Sequence, residues 1–144
     1  MTVLVTGGSG FLGRCLVRRL RSDGVPVRVL VRSASKAEAL QTQGAEVVVG
    51  EITDPRAVAS ALEGVSVVYH LAGRLLVPGV PAGEYRRTHV EGTNTLLAQA
   101  RTASSLERFV HCSTTGVLGA TGDRPADETA PFRPTNIYEA TKAE

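Results

Sequence analysis

At 144 residues, with 42% apolar and 21% charged side chains, the chain has the make-up of one soluble globular domain large enough to bury a real core. A formal charge of +2, no lysine or arginine run, few aromatics and no tryptophan argue against nucleic acid as a partner. No apolar run approaches the roughly 20 residues of a membrane span, the first strand begins too near Met1 for a signal peptide, and no Cys/His spacing suits zinc, so the expectation is a cytoplasmic protein with no membrane and no metal.

Val3-Leu4-Val5 predicts a first strand, and Leu12, Leu16, Val17 and Leu20 recur at helical spacing beyond it. Between them lies Thr6-Gly7-Gly8-Ser9-Gly10-Phe11-Leu12-Gly13, a strand-to-helix turn. Its glycines answer a phosphate-binding need: Gly7 for a tight turn, Gly10 for bare backbone beside a pyrophosphate, Gly13 for a flat meeting of helix and sheet. Backbone N–H groups at the helix start, from Phe11 onward through Leu12 and Gly13, with the positive end of the helix dipole, then face the diphosphate. The spacing is G-x-x-G-x-x-G, not the G-x-G-x-x-G of the standard dinucleotide fingerprint, and a glycine-rich turn without a ligand is the plain alternative. Arg18, Arg19 and Arg21 read as the solvated face and end of this helix. Cys15 on it and Cys112 in a later strand read as small buried residues rather than a disulfide.

Asp23-Gly24 closes the helix, and Val25 to Val31 reads as a second strand ending at Arg32. In a dinucleotide fold this strand end meets the adenosine ribose, where a carboxylate would bind the hydroxyls of NAD and repel a 2′-phosphate. Here Arg32, Ser33 and Lys36 offer cations and a hydroxyl, which suit a phosphate, so the chemistry favours NADP over NAD. A solvent-facing arginine is the alternative reading of Arg32.

Ala37 to Gln43 reads as a short helix and Ala45 to Gly50 as a third strand. Asp54 is an N-cap with Pro55 at the first helical position, and Val58, Ala61 and Leu62 form the inner face of that helix. Glu51 and Ile52 then fall near the adenine, one as an acceptor and the other as a flat apolar contact, or else are ordinary loop packing. Val65 to Gly73 is a fourth strand, nearly continuous in apolar residues as a doubly buried strand should be. Its small end, Leu71-Ala72-Gly73, lets backbone approach a cofactor, and His70 reads as a hydrogen-bonded core histidine. A loop to Gly83, a long helix from about Glu84 to Ala103 and a fifth strand, Arg108 to Cys112, complete the alternation. Such alternation specifies an α/β fold: a doubly wound parallel sheet in order 3-2-1-4-5, with the cofactor across the switch point between strands one and four.

Tyr138 and Lys142, at i and i+4, share one face of a helix. A nearby ammonium stabilises phenolate, so the phenol can exchange a proton while a nicotinamide exchanges hydride. Thr114, after strand five, would hold the substrate oxygen against Tyr138.

These pieces together resemble the extended short-chain dehydrogenase/reductases, the NAD-dependent epimerase/dehydratase group. The matching residues are Thr6-Gly7-x-x-Gly10-x-x-Gly13, His70-Leu71-Ala72-Gly73, Val90-x-Gly92-Thr93, Arg108-Phe109-Val110-x-x-Ser113-Thr114 through Gly119, and Tyr138-x-x-x-Lys142, in the family's order. The resemblance implies a Rossmann-like domain over 1–144 in which Tyr138 is the acid/base, Lys142 holds the nicotinamide ribose and tunes the tyrosine, and Thr114 takes the Ser/Thr role with Ser113 as fallback. It also allows a homodimer through the long helix and the Tyr138 helix.

Three departures from the family's pattern stand out. His89 stands where asparagine is common, and Asn94 cannot replace it, because five residues of α-helix turn it about 140° off that face. Thr115-Gly116 replaces the Asp-Glu of sugar dehydratases, which disfavours dehydration, and Leu118 replaces a frequent tyrosine. The sequence also stops two residues past Lys142, where the family continues with further strands and a substrate-binding portion. The expectation is a truncated chain, inactive without that portion, with a natural short form lacking a substrate pocket as the alternative.

The first reading is therefore an NADP-preferring oxidoreductase acting on a carbonyl or secondary alcohol of a small molecule. A nucleotide-sugar epimerase with tightly held NAD is the second. A non-catalytic NADP-binding regulator or assembly subunit is the alternative from another class.

Overall fold

The computed structural model describes residues 1–123 and 125–144. Its strands are β1 (Thr2–Thr6), β2 (Val27–Val31), β3 (Glu46–Val49), β4 (Val65–His70) and β5 (Arg108–His111), all parallel, in the order β3-β2-β1-β4-β5. This is the expected doubly wound, Rossmann-like sheet.

Two apolar layers follow from the period of two along β1. Val3 and Val5 point to one face, where they pack with Val17, Val29, Val31 and Leu40 beneath α1 (Phe11–Ser22) and α2 (Ala37–Gln41). Leu4 points to the other, with Leu30, Val58, Leu62, Val68 and Leu96 beneath α3 (Pro55–Leu62) and α5 (Gly92–Ala100). Both faces of the central strands are thus covered. The ends of β1 and β4 meet at the reversal of strand order, with Thr6 opposite His70.

Several boundaries differ from the sequence expectation for local reasons. β2 starts at Val27 because Pro26 has no N–H to give a ladder and Val25 N–H closes α1 onto Leu20 O. Leu71–Gly73 leaves β4 after one bond to Thr6 O and becomes cleft wall. β5 ends at His111, and α2 stops at Gln41 after a leading 3₁₀ turn, Ala34–Lys36. Asp54 caps α3 as expected, its Oδ1 accepting from Arg56 N–H at 2.9 Å. Both cysteines are free but only half-buried, so neither is the core residue expected.

The long helix is the largest difference. It begins earlier, as α4 (Ala82–Arg86), ends at Ala100, and is interrupted by a π turn over Arg87–Glu91 in which Gly92 N–H reaches back to Arg87 O. Thr88, Thr93 and Thr95 hydroxyls each donate to the carbonyl four residues earlier, the local competition for backbone acceptors that widens a helical turn. The last helix, α6, runs Ile137–Ala143 with Asn136 as its side-chain N-cap. Among the described residues no helix is long and apolar enough to cross a membrane.

Candidate active site

The glycine turn is built as a floor. Gly7 has φ +73°, and a Cβ there would stand 2.7 Å from Leu71 C and Ala72 N, so only glycine lets β1 turn against the end of β4. Gly10 N–H donates to Gly7 O at 2.9 Å, and a Cβ on Gly13 would strike Gly7 O. α1 therefore lies flush on the turn. Its cap is Gly10, without a side-chain hydrogen bond and without an acidic residue in the first turn, and the first helical bond is Arg14 N–H to Gly10 O. The N–H groups of Phe11, Leu12 and Gly13, in the first turn, have no partner within the helix. Phe11 and Leu12 point their side chains to solvent, 90% and 55% exposed, so what they offer is backbone.

A cleft of about 530 Å³ opens over this floor. Thr6, Gly7, Ser9 and Gly10 form its base, Arg32 and Lys36 one end, Glu51, Ile52 and Thr53 a side, and Leu71, Ala72 and Gly73 the other wall. No carboxylate stands at the end of β2, and Arg32 and Lys36 are exposed and outside every ion pair among the described residues. The donor set fits a dinucleotide: a bare-backbone anion cradle in the middle, and two cations at one end. Ser33 does not line the cleft; its hydroxyl pairs with Ser35 at 3.1 Å. Phe11, Leu12 and Gly13 also lie off the lining, Gly13 beneath the turn.

The three residues expected to do chemistry stand beyond Gly73. Lys142 Nζ donates to Cys112 O at 2.6 Å, and a Cβ at Gly73 would lie 4.0 Å from that Nζ and 3.6 Å from His89 Nε2. Burial lowers the Lys142 pKa from its ordinary value. Tyr138 stands edge-on to His89, ring centroids 5.5 Å apart. Thr114 accepts from Gly116 N–H at 3.2 Å, capping a 3₁₀ turn (Thr115–Leu118) whose Gly116 lies against Glu139 of α6. Lys142, Tyr138, His89 and Gly73 are thus brought together, while Thr114 makes no hydrogen bond to Tyr138 among the described residues.

The sequence reading missed part of the site. Arg74, Leu75, Val77, Glu84, Arg87 and Thr88 also line the cleft, and Arg74 pairs with Glu84 at 3.3 Å. Glu84, Arg87 and Thr88 fall at i, i+3 and i+4, a helical face legible in the sequence once the cleft is known. His70 is the buried, hydrogen-bonded histidine expected: Nδ1 lies 2.7 Å from Thr6 Oγ1 and Nε2 2.9 Å from Thr93 Oγ1. Burial, then the neighbouring His111, lowers its pKa to about 3. His89, also buried, has Nε2 2.9 Å from Arg74 N and Nδ1 2.8 Å from Thr141 Oγ1, and burial lowers it to about 4. Asn94 is exposed, off the site.

The sheet order and the glycine-floored crevice at its switch point define an NAD(P)-binding Rossmann fold. Residues 3–144 match the NAD dependent epimerase/dehydratase family, and the chain belongs to that family. A ketoreductase of a farnesyl-quinoline oxide from Stigmatella aurantiaca is 41% identical over 100% of this chain and 43% of its own length. A 3 beta-hydroxysteroid dehydrogenase/Delta 5-->4-isomerase from Mycobacterium tuberculosis is 36% identical over 97% of this chain and 40% of its own. Among solved structures, a dTDP-glucose 4,6-dehydratase from Streptomyces venezuelae with NAD bound superposes with a TM-score of 0.87 at 32% identity, covering 99% of this chain and 48% of that one. The chain spans less than half the length of the curated relatives it matches.

Proposed function

We propose that this chain is the cofactor-binding half of an oxidoreductase that uses NADP in preference to NAD and interconverts a carbonyl and a secondary alcohol on a small molecule. The observation that carries it is the cleft, which runs from the Arg32 and Lys36 cations across the bare glycine floor to Gly73, beside which Lys142 stands. When bound, the dinucleotide supplies or accepts hydride. The chain's own residues do the rest: Phe11, Leu12 and Gly13 N–H groups hold diphosphate, and Arg32 and Lys36 hold the 2′-phosphate. Glu51 and Ile52 flank the adenine, and Leu71, Ala72 and Gly73 back the nicotinamide end. Lys142 holds the ribose beside Tyr138, which moves a proton to or from the substrate oxygen, with Thr114 positioning that oxygen. The relatives named as a ketoreductase and a hydroxysteroid dehydrogenase support the carbonyl and alcohol chemistry.

A nucleotide-sugar epimerase or dehydratase with tightly held NAD is the second reading, favoured by the dTDP-glucose dehydratase among the structural neighbours. Thr115-Gly116 in place of Asp-Glu and the cations after β2 weigh against it. Stoichiometric consumption of reduced nicotinamide by the full-length protein offered steroid or quinoline ketones supports the first reading, and conversion of dTDP-glucose to another sugar nucleotide with no net change in nicotinamide, followed by chromatography, supports the second. Tyr138→Phe should lower turnover about 10³-fold while dinucleotide affinity stays within about twofold; undiminished turnover would remove Tyr138 from the chemistry.

A further inference from the structure

The hydrogen bonds around His70 and His89 have only one consistent set of directions. Thr93 Oγ1 donates to His89 O, so it must accept from His70, whose Nε2 therefore carries the proton. His70 Nδ1 is then bare and accepts from Thr6 O–H, whose oxygen in turn accepts from Ala72 N–H at 3.3 Å. At His89 the roles reverse. Arg74 N–H donates to Nε2, so Nε2 is bare and Nδ1 carries the proton. Nδ1–H donates to Thr141 Oγ1, whose own hydrogen goes to Ile137 O at 2.8 Å. Burial keeps both rings neutral at ordinary pH.

We infer that His89 is a positioning residue: a neutral Nδ1–H imidazole that clamps the loop after β4, through Arg74 N–H, to the helix carrying Tyr138 and Lys142, through Thr141. Its catalytic meaning rests on the function proposed above. Two one-way chains of hydrogen bonds meet at this residue. One starts at Ala72 and passes through Thr6, His70 and Thr93 to His89 O; the other starts at Arg74 and passes through the His89 ring to Thr141 on α6. The strand end behind the glycine floor and the helix holding the phenol and amine are thereby fixed relative to one another. With both ring nitrogens committed, His89 passes no proton to substrate. The π turn serves this arrangement, because His89 and the carbonyl that Thr93 needs both lie on it.

The clamp is tested without assuming any activity. Long-range proton–nitrogen correlation spectra of the ¹⁵N-labelled chain at neutral pH should show opposite tautomers, His70 protonated on Nε2 and His89 on Nδ1. A His89 protonated on Nε2 would overturn the proposal. The Arg74 amide should exchange slowly, and faster in His89→Phe; equal rates would count against the clamp. In the full-length protein, His89→Asn keeps a donor at the Nδ1 position for Thr141, and His89→Gln keeps an acceptor at the Nε2 position for Arg74. Each should lower kcat about tenfold, and His89→Phe about 100-fold, with dinucleotide KM within about twofold. Unchanged kcat in all three variants, or KM rising in step with the loss of kcat, would overturn the positioning role. Should the protein reduce no ketone at all, the tautomers and the Arg74 amide still decide the clamp. If His89→Phe fails to fold, the Asn and Gln variants carry the kinetic test.

Discussion

Lys142 Nζ donates a 2.6 Å hydrogen bond to the carbonyl of Cys112, joining α6 to the end of β5. The bond sets the ammonium at a fixed depth beside Gly73 rather than leaving it to solvent. Replacing Lys142 with Met keeps the length and apolar stem but removes charge and donor. In the full-length protein kcat/KM should fall about 100-fold or more, read by steady-state kinetics. Wild-type kinetics in that variant would confine Lys142 to a structural bond.

Gly7 gives a prediction with its own internal control. Gly7→Ala places a methyl at φ +73° and 2.7 Å from the backbone of Leu71 and Ala72, whereas Gly24→Ala, at φ +74°, meets nothing within 4 Å. Left-handed strain alone costs about 1–2 kcal/mol, and backbone overlap adds about 1–3 kcal/mol. Thermal melts should therefore show a small loss for Gly24→Ala, and for Gly7→Ala a loss about twice as large together with the end of dinucleotide binding. Equal melts for the two would mean the turn is not packed as described.

The three histidines make stability sensitive to mild acid. Their folded pKa values lie below the unfolded value of 6.5, to about 3 for His70, about 4 for His89, and lower than ordinary for His111. Between those values and 6.5 the unfolded chain binds more protons than the folded one, so stability falls as pH falls. Each of the buried His70 and His89, titrating fully in the unfolded chain alone, contributes a slope of about 1.4 kcal/mol per pH unit, and the exposed His111 contributes less. Urea unfolding at pH 7, 6 and 5 should show a falling midpoint before most carboxylate titration begins. His70→Asn should reduce that slope, and a flat midpoint would contradict buried neutral imidazoles.

How much of this was legible in the sequence divides along the range of the interactions. The glycine turn, the Asp54-Pro55 helix start and the apolar run of β4 are each set within a few residues, and the sheet order follows from their alternation. His70 was legible as a core histidine because nothing beside it in the chain could use it catalytically. Its partners Thr6 and Thr93 lie 64 and 23 residues away, and no local pattern names them. The role of His89 was hidden for the same reason, its ring partner Thr141 lying 52 residues on. The π turn was hidden too, since a helix drawn with 3.6 residues per turn has no place for it. Ser33 looked like a ligand of a 2′-phosphate by proximity to Arg32, yet its hydroxyl turns toward Ser35.

The central claim is that the cleft takes a dinucleotide with its 2′-phosphate against Arg32 and Lys36. Calorimetric titration of the full-length protein and of Arg32→Ala with NADP and with NAD tests it most directly. Expected are NADP bound at least about tenfold more tightly than NAD, and a loss of about tenfold confined to NADP in the variant, the worth of one charge-assisted phosphate contact. NAD bound as tightly as NADP, or an Arg32→Ala protein that weakens both alike, would contradict it.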